Sequence, residues 1–111
     1  MPLADLLVEL FKVKTRAVEN PRAVTTATAT AQMILANNPN RLAWTMINLG
    51  GNPCYIGLTR EVSASNGVRL DINGGHAGEI WNEDFQETAW AVWIISPDGD
   101  SNCYSKEVVE Y

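Results

Sequence analysis

The sequence predicts an all-β domain, an antiparallel β-sandwich or jelly roll preceded by a short N-terminal helix or arm. Three observations carry that expectation. Short β-prone runs are separated by Gly, Asn and Pro clusters at roughly ten-residue intervals, the rhythm of a sandwich. From Thr25 onward the side chains alternate with period two, which places successive residues on opposite faces of a sheet. The 111 residues are 46% hydrophobic and 19% charged, a globular composition with room for one core. Residues 1–23 are assigned to the helix or arm and 24–111 to the sandwich.

Taken in order, Leu3, Leu6, Leu7, Leu10 and Phe11 recur at helical spacing with Asp5, Glu9 and Lys12 opposite, so residues 3–13 read as an amphipathic helix. A helix this short needs something to cover its leucine face. Val13 to Val18 can alternatively continue as an edge strand, and Asn20-Pro21 breaks what precedes it. Thr25 to Ala36 alternates hydroxyl and methyl side chains and reads as one strand with a threonine face and a small-residue face. Asn37 to Asn40 is a turn. Leu42 to Leu49 is a strand with Leu42, Trp44 and Met46 on one face, and Gly50-Gly51-Asn52 reads as a hairpin turn that pairs Cys54 to Leu58 back onto it. Val68 to Ile72 is a further strand. The turn Asn73 to Gly78 leads into Glu79-Ile80-Trp81-Asn82. Thr88 to Ile95 is apolar on both faces, as in a covered strand. After Pro97-Asp98-Gly99-Asp100, Asn102 to Glu110 closes the domain, with the choice of Val108 or Val109 as the inward residue left open.

Composition narrows the function classes. A net charge of −5 argues against a phosphate-binding surface, which needs clustered Lys and Arg. No apolar run approaches the ~18 residues needed to span a bilayer, and the start lacks the pattern of a secretion signal. A soluble chain that uses neither nucleic acid nor membrane is expected. Lys12, Lys14, Arg16 and Arg22 cluster near the start while Glu79, Glu83, Asp84 and Glu87 lie far along the chain. These are either two solvated faces or complementary surfaces of neighbouring subunits. Cys54 and Cys103 are too few for a disulfide scaffold or a four-ligand zinc site, and read as buried thiols or a single bridge.

No residue set points to catalysis, a metal or a cofactor. His76 is the single histidine and sits between turn residues, so it reads as an exposed imidazole. Asp98, Asp100 and Ser101 lack the spacing of a calcium loop. The carboxyls of Glu79, Glu83, Asp84 and Glu87 would serve as a glycosidase pair only if two of them faced a cleft. The tryptophans remain: Trp44 reads as core, whereas Trp81, Trp90 and Trp93 could stack on a sugar or anchor a protein interface. With Leu3, Leu6, Leu7, Leu10 and Phe11 they form the candidate interface set.

The ordered series Asn38-Pro39-Asn40-Arg41, Asn52-Pro53-Cys54-Tyr55-Ile56-Gly57, Ser65-Asn66-Gly67-Val68-Arg69-Leu70 and the ending Val109-Glu110-Tyr111 resembles the small β-domain structural proteins of tailed bacteriophages, of capsid-decoration or head-fibre type. That family carries an A-N-P-N-R turn, an N-P-V-Y-I-G strand, an S-x-x-N-G-x-x-L loop and a V-x-E-Y ending. The resemblance covers about Thr25 to Tyr111. Cys54 departs from the usual aliphatic residue, the stretch Glu79 to Trp93 is unusually rich in tryptophan, and the N-terminal segment lies outside the shared region. It implies a non-enzymatic virion component, assembled in the host cytoplasm, that pairs with copies of itself, as a trimer by analogy with jelly-roll decoration proteins, and with a major capsid or other virion protein. The rival expectation is a carbohydrate-binding module for host attachment, with Trp81 or Trp90 and Asn66, Asn73 and Asp98 holding a glycan.

Overall fold

The computed structural model describes residues 15–18 and 24–110; the expected helix over 3–13, with Leu3, Leu6, Leu7, Leu10 and Phe11, lies outside them. The strands are β1 (Thr15–Val18), β2 (Val24–Ala27), β3 (Gln32–Leu35), β4 (Arg41–Asn48), β5 (Cys54–Gly57), β6 (Val68–Leu70), β7 (His76–Ile80), β8 (Val92–Ile95) and β9 (Ser101–Glu110). A single helical turn, α1 (Trp81–Asp84), runs directly into a 3-10 segment, Phe85–Ala89. No helix among the described residues is long and apolar enough to cross a membrane.

Every pairing among the described residues is antiparallel. One sheet has the order β2-β9-β4-β7, with β1 beside β2 along the same edge of β9, and the other has the order β3-β8-β5-β6. A five-stranded and a four-stranded layer interleaved in this way form a double Greek key, the jelly roll. The fold class expected from the sequence is therefore the fold observed. Between the layers lie Leu35 from β3, Trp44 and Met46 from β4, Cys54 and Ile56 from β5, Leu70 from β6, Val92 and Ile94 from β8 and Cys103 from β9.

Several element expectations are corrected by the way the chain changes sheets. The run Thr25 to Ala36 is two strands in different layers, separated at Thr28 to Ala31. There the Thr28 hydroxyl bonds the Thr30 backbone (3.3 Å) and the Thr28 carbonyl accepts from Ser96 N–H (2.8 Å). A hydroxyl that satisfies its own neighbouring backbone competes with a sheet ladder, so the alternation outlasts the strand. The expected hairpin between β4 and β5 is a crossing from one sheet to the other. Asn48 replaces the turn: its amide donates to Asn52 O and Leu70 O and its side-chain oxygen accepts from Gly50 N–H and Ser101 Oγ. Gly50 is small because a Cβ there would lie 3.0 Å from the Asn102 nitrogen.

Strand β8 begins only at Val92, because the carbonyls of Thr88, Ala89 and Trp90 are taken by Arg41 and by Asn38 N–H instead of a ladder. Strand β9 resolves the open question at its end. Ser101, Cys103, Ser105, Glu107 and Val109 face inward and are buried, so Val109 is the core residue, on a face that is otherwise largely polar.

Candidate functional site

The segment Trp81–Ala89 sits between two concave features and shapes both. Its position follows from Arg41, the last residue of the Asn38-Pro39-Asn40-Arg41 turn. Arg41 is buried, pairs through Nε with the buried Glu107 of β9, and donates to Ala36 O (2.6 Å), Trp90 O (3.1 Å) and Thr88 O (3.4 Å). Asn38 N–H donates to Ala89 O at 2.8 Å, and Asp84 Oδ2 accepts from Ile80 N–H at 2.8 Å. The segment is thus pinned at both ends.

On its inner side is a cleft of about 300 Å³ between the sheets, where Asp84 and Glu87 join Glu79 of β7, Trp44 of β4 and the apolar side chains of Ile56, Leu58, Val68 and Val92. Glu79 stands directly across from Trp44 in the β4–β7 ladder. Burial, and then the negative charges of Glu87 and Asp84, push the Glu79 carboxyl up to about 7 despite an opposing pull from Arg41. Such a group can accept hydrogen bonds when ionised and donate one when protonated, close to neutral pH.

On the outer side, Phe85, Gln86, Ala89 and Trp90 face Asn37, Pro39 and Leu42 across a groove of about 590 Å³. Phe85 is 74% exposed and Trp90 48%. Phe85 also sits at φ 54°, the left-handed region that a bulky side chain rarely occupies.

The tryptophans weighed as a sugar-stacking or interface set are dispersed. Trp44 is buried against the cleft, Trp90 borders the groove, and Trp93 lies half-buried on the outer face of β8, with the Arg60 guanidinium 5.9 Å from its ring centre. Trp81 opens α1, and its side chain is outside the described set. Asn66 is committed to its own loop, bonding Ser63 and Glu61. Neither Asn66, Asn73 nor Asp98 lines the cleft or the groove. His76 is exposed at the start of β7. Among the described residues no cluster of three or more His, Cys, Asp or Glu is arranged to hold a metal ion.

In the sequence the three cleft carboxyls, Glu79, Asp84 and Glu87, look like solvated loop residues, and Phe85 does not stand out. Its signal was a lone phenylalanine inside the acidic run 83–87, where no core-facing periodicity calls for one. Cys54 and Cys103 come from different sheets, yet their sulfurs meet at 3.5 Å in the core. Either thiol can donate to the other; the contact with Cys103 eases loss of the Cys54 proton, while the Cys103 proton is held more tightly by that contact and by burial.

No family model matches this chain, and no curated protein matches it. Solved structures do. A protein of Bacillus endospore appendages, described as disulfide-linked pili, is 17% identical with a TM-score of 0.51, over 89% of this chain and 87% of that one. A dTDP-4-dehydrorhamnose 3,5-epimerase from Bacillus anthracis is 17% identical with a TM-score of 0.52. A dTDP-6-deoxy-D-glucose-3,5-epimerase from Legionella pneumophila is 14% identical with a TM-score of 0.52. The match covers 99% of this chain in both cases but 62% and 57% of the two epimerases. At such identity the likeness is one of fold.

It nevertheless corrects one expectation. The exclusion of enzymatic activity rested on finding no catalytic motif along the sequence, whereas enzymes are built on this fold and the carboxyls here converge only in three dimensions. That exclusion is withdrawn. The same fold also serves a structural protein, the pilus subunit, and fold alone does not choose between the two uses.

Proposed function

We propose that the chain is a structural subunit that joins copies of itself and a neighbouring coat protein in a tailed-phage particle, as a decoration or fibre-attachment component assembled in the host cytoplasm. The observation that carries this reading is Phe85, largely exposed, in a left-handed backbone conformation and beside Trp90 on an apolar groove. A conformation of that kind costs about 1–3 kcal/mol and persists where the surroundings impose it, commonly at functional sites. Exposed aromatic pairs are typical anchors of interfaces.

The turns on which the resemblance to phage β-domains rests each have a local structural role here. The Asn-Pro-Asn-Arg turn is the Arg41 lock, and the Ser-Asn-Gly loop is the Asn66-bonded loop between β5 and β6. The occupant we assign to the groove is the leucine-rich stretch 3–11 of an adjoining copy, whose following basic residues complement the acidic stretch 79–87. Many such weak contacts add avidity across a particle.

Sedimentation equilibrium tests this. A concentration-dependent oligomer is expected, and F85S/W90S and L6S/L7S/L10S should each return it to monomer with circular dichroism unchanged. A wild-type chain that stays monomeric at high concentration and is not taken up by particles lacking it would overturn the reading.

A further inference from the structure

The cleft between the sheets contains two buried polar atoms, Trp44 Nε1 and Glu79 Oε2, that have no hydrogen-bond partner among the described residues. Trp44 is only 4% exposed, yet it lines the cavity, directly across the ladder from Glu79. Nearly all buried polar groups in folded proteins are satisfied, so an orphaned pair in one cavity marks the place of something that satisfies both.

The chemistry of that occupant is constrained. An indole N–H only donates, and an ionised carboxylate only accepts. An ammonium group would satisfy Glu79 and leave Trp44 bare. A phosphate or carboxylate could accept from Trp44 but would be repelled by Glu79, Asp84 and Glu87. A purely apolar group satisfies neither. A hydroxyl does both, because it carries one donor and two acceptor lone pairs; water does so too, but only a hydroxylated ring also uses the apolar wall of the cleft. Further hydroxyls would donate to Asp84 and Glu87, while Ile56, Leu58, Val68 and Val92 offer an aliphatic wall to a C–H face. The cavity of about 300 Å³ lies at the small end of ligand sites, roughly 300–1,000 Å³, which suits one ring and not a chain of rings.

We propose that this cleft is a binding subsite for a single neutral, polyhydroxylated ring, that is, one monosaccharide unit held between Trp44 and Glu79. The subsite does not depend on the assembly reading, since the groove at Phe85 and Trp90 lies on the other side of the segment 81–89.

Backbone amide NMR on the full chain tests it, with a panel of free neutral hexoses, deoxyhexoses and N-acetylhexosamines at about 10 mM, and with methylammonium as the cationic control. At least one sugar should shift the amides of residues 44, 79 and 87 with a Kd on the order of 1 mM. Trp44→Phe, which removes the donor and keeps an aromatic ring, should weaken that binding about tenfold, as should Glu79→Ala.

Phe85→Ser should bind the sugar like the native chain even where it blocks association, so failure of the two readings can be told apart. Should Trp44→Phe not fold, the wild-type shift map and Glu79→Ala decide. An immobilised glycan ending in the same sugar separates the sources: binding to it as well as to the free ring identifies a terminal glycan residue, and binding to the free ring alone identifies a small metabolite. Absence of any sugar-induced shift at the cleft, a response to methylammonium in place of sugars, or full binding by both Trp44→Phe and Glu79→Ala would overturn the proposal.

Discussion

Arg41 ties three distant stretches of chain together through Ala36, Thr88 with Trp90, and Glu107. The sequence revealed the turn that ends in Arg41, because Asn and Pro act locally. It could not reveal the carboxylate 66 residues away. Arg41→Met strands the buried Glu107 charge and is expected to cost about 3–5 kcal/mol in urea unfolding, with much of that recovered in R41M/E107L.

Glu79 gives a second test at this scale. Its carboxyl titrates near 7 in the fold against 4.5 ordinarily, so between those values the folded state binds more protons than the unfolded one, and stability falls as pH rises through that window. Glu79→Gln should match the native chain near pH 4 and exceed it at pH 8 by about 1 kcal/mol, allowing for solvent screening of a partly exposed group. The sulfurs of Cys54 and Cys103, 3.5 Å apart, should join on refolding with oxidised glutathione, seen as the loss of two hydrogens by mass. Closing a loop of 49 residues in this way stabilises by about 4 kcal/mol.

Among the elements, period-two alternation located most of the strands but missed β7, whose first residues, His76 to Gly78, read as a turn because of their glycines and yet pair with β4. It also failed where side chains intercept the backbone, at the Thr28 bend and at Thr88 to Trp90, and it could not show that β4 and β5 belong to different sheets. Hydrophobicity likewise could not orient β9, whose inward Ser101 and Glu107 are satisfied by Asn48 and Arg41 from β4. The joint at Asn48 is therefore expected to matter more than its loop position suggests. Asn48→Ala would leave Gly50 N–H and the Asn52 and Leu70 carbonyls without that partner, and a loss of about 3 kcal/mol in thermal or urea unfolding is expected.

For the molecule as a whole, composition and strand rhythm were enough to place the chain among the sandwiches and jelly rolls, because one core in 111 residues admits few layered solutions. The cleft and the groove were not legible. Each gathers residues from strands far apart in sequence, and both depend on the helical segment Trp81–Ala89, which overlaps the expected strand only at Thr88 and Ala89 and for which the sequence predicts no helix. The long strands β4 and β9 are interior, whereas β1, β2, β3, β6 and β7, of three to five residues each, form the sheet margins. Brief margins give an incoming backbone too few rungs to zip onto. Among the described residues, margins this brief lower the tendency of crowded copies to template one another into amyloid-like fibrils.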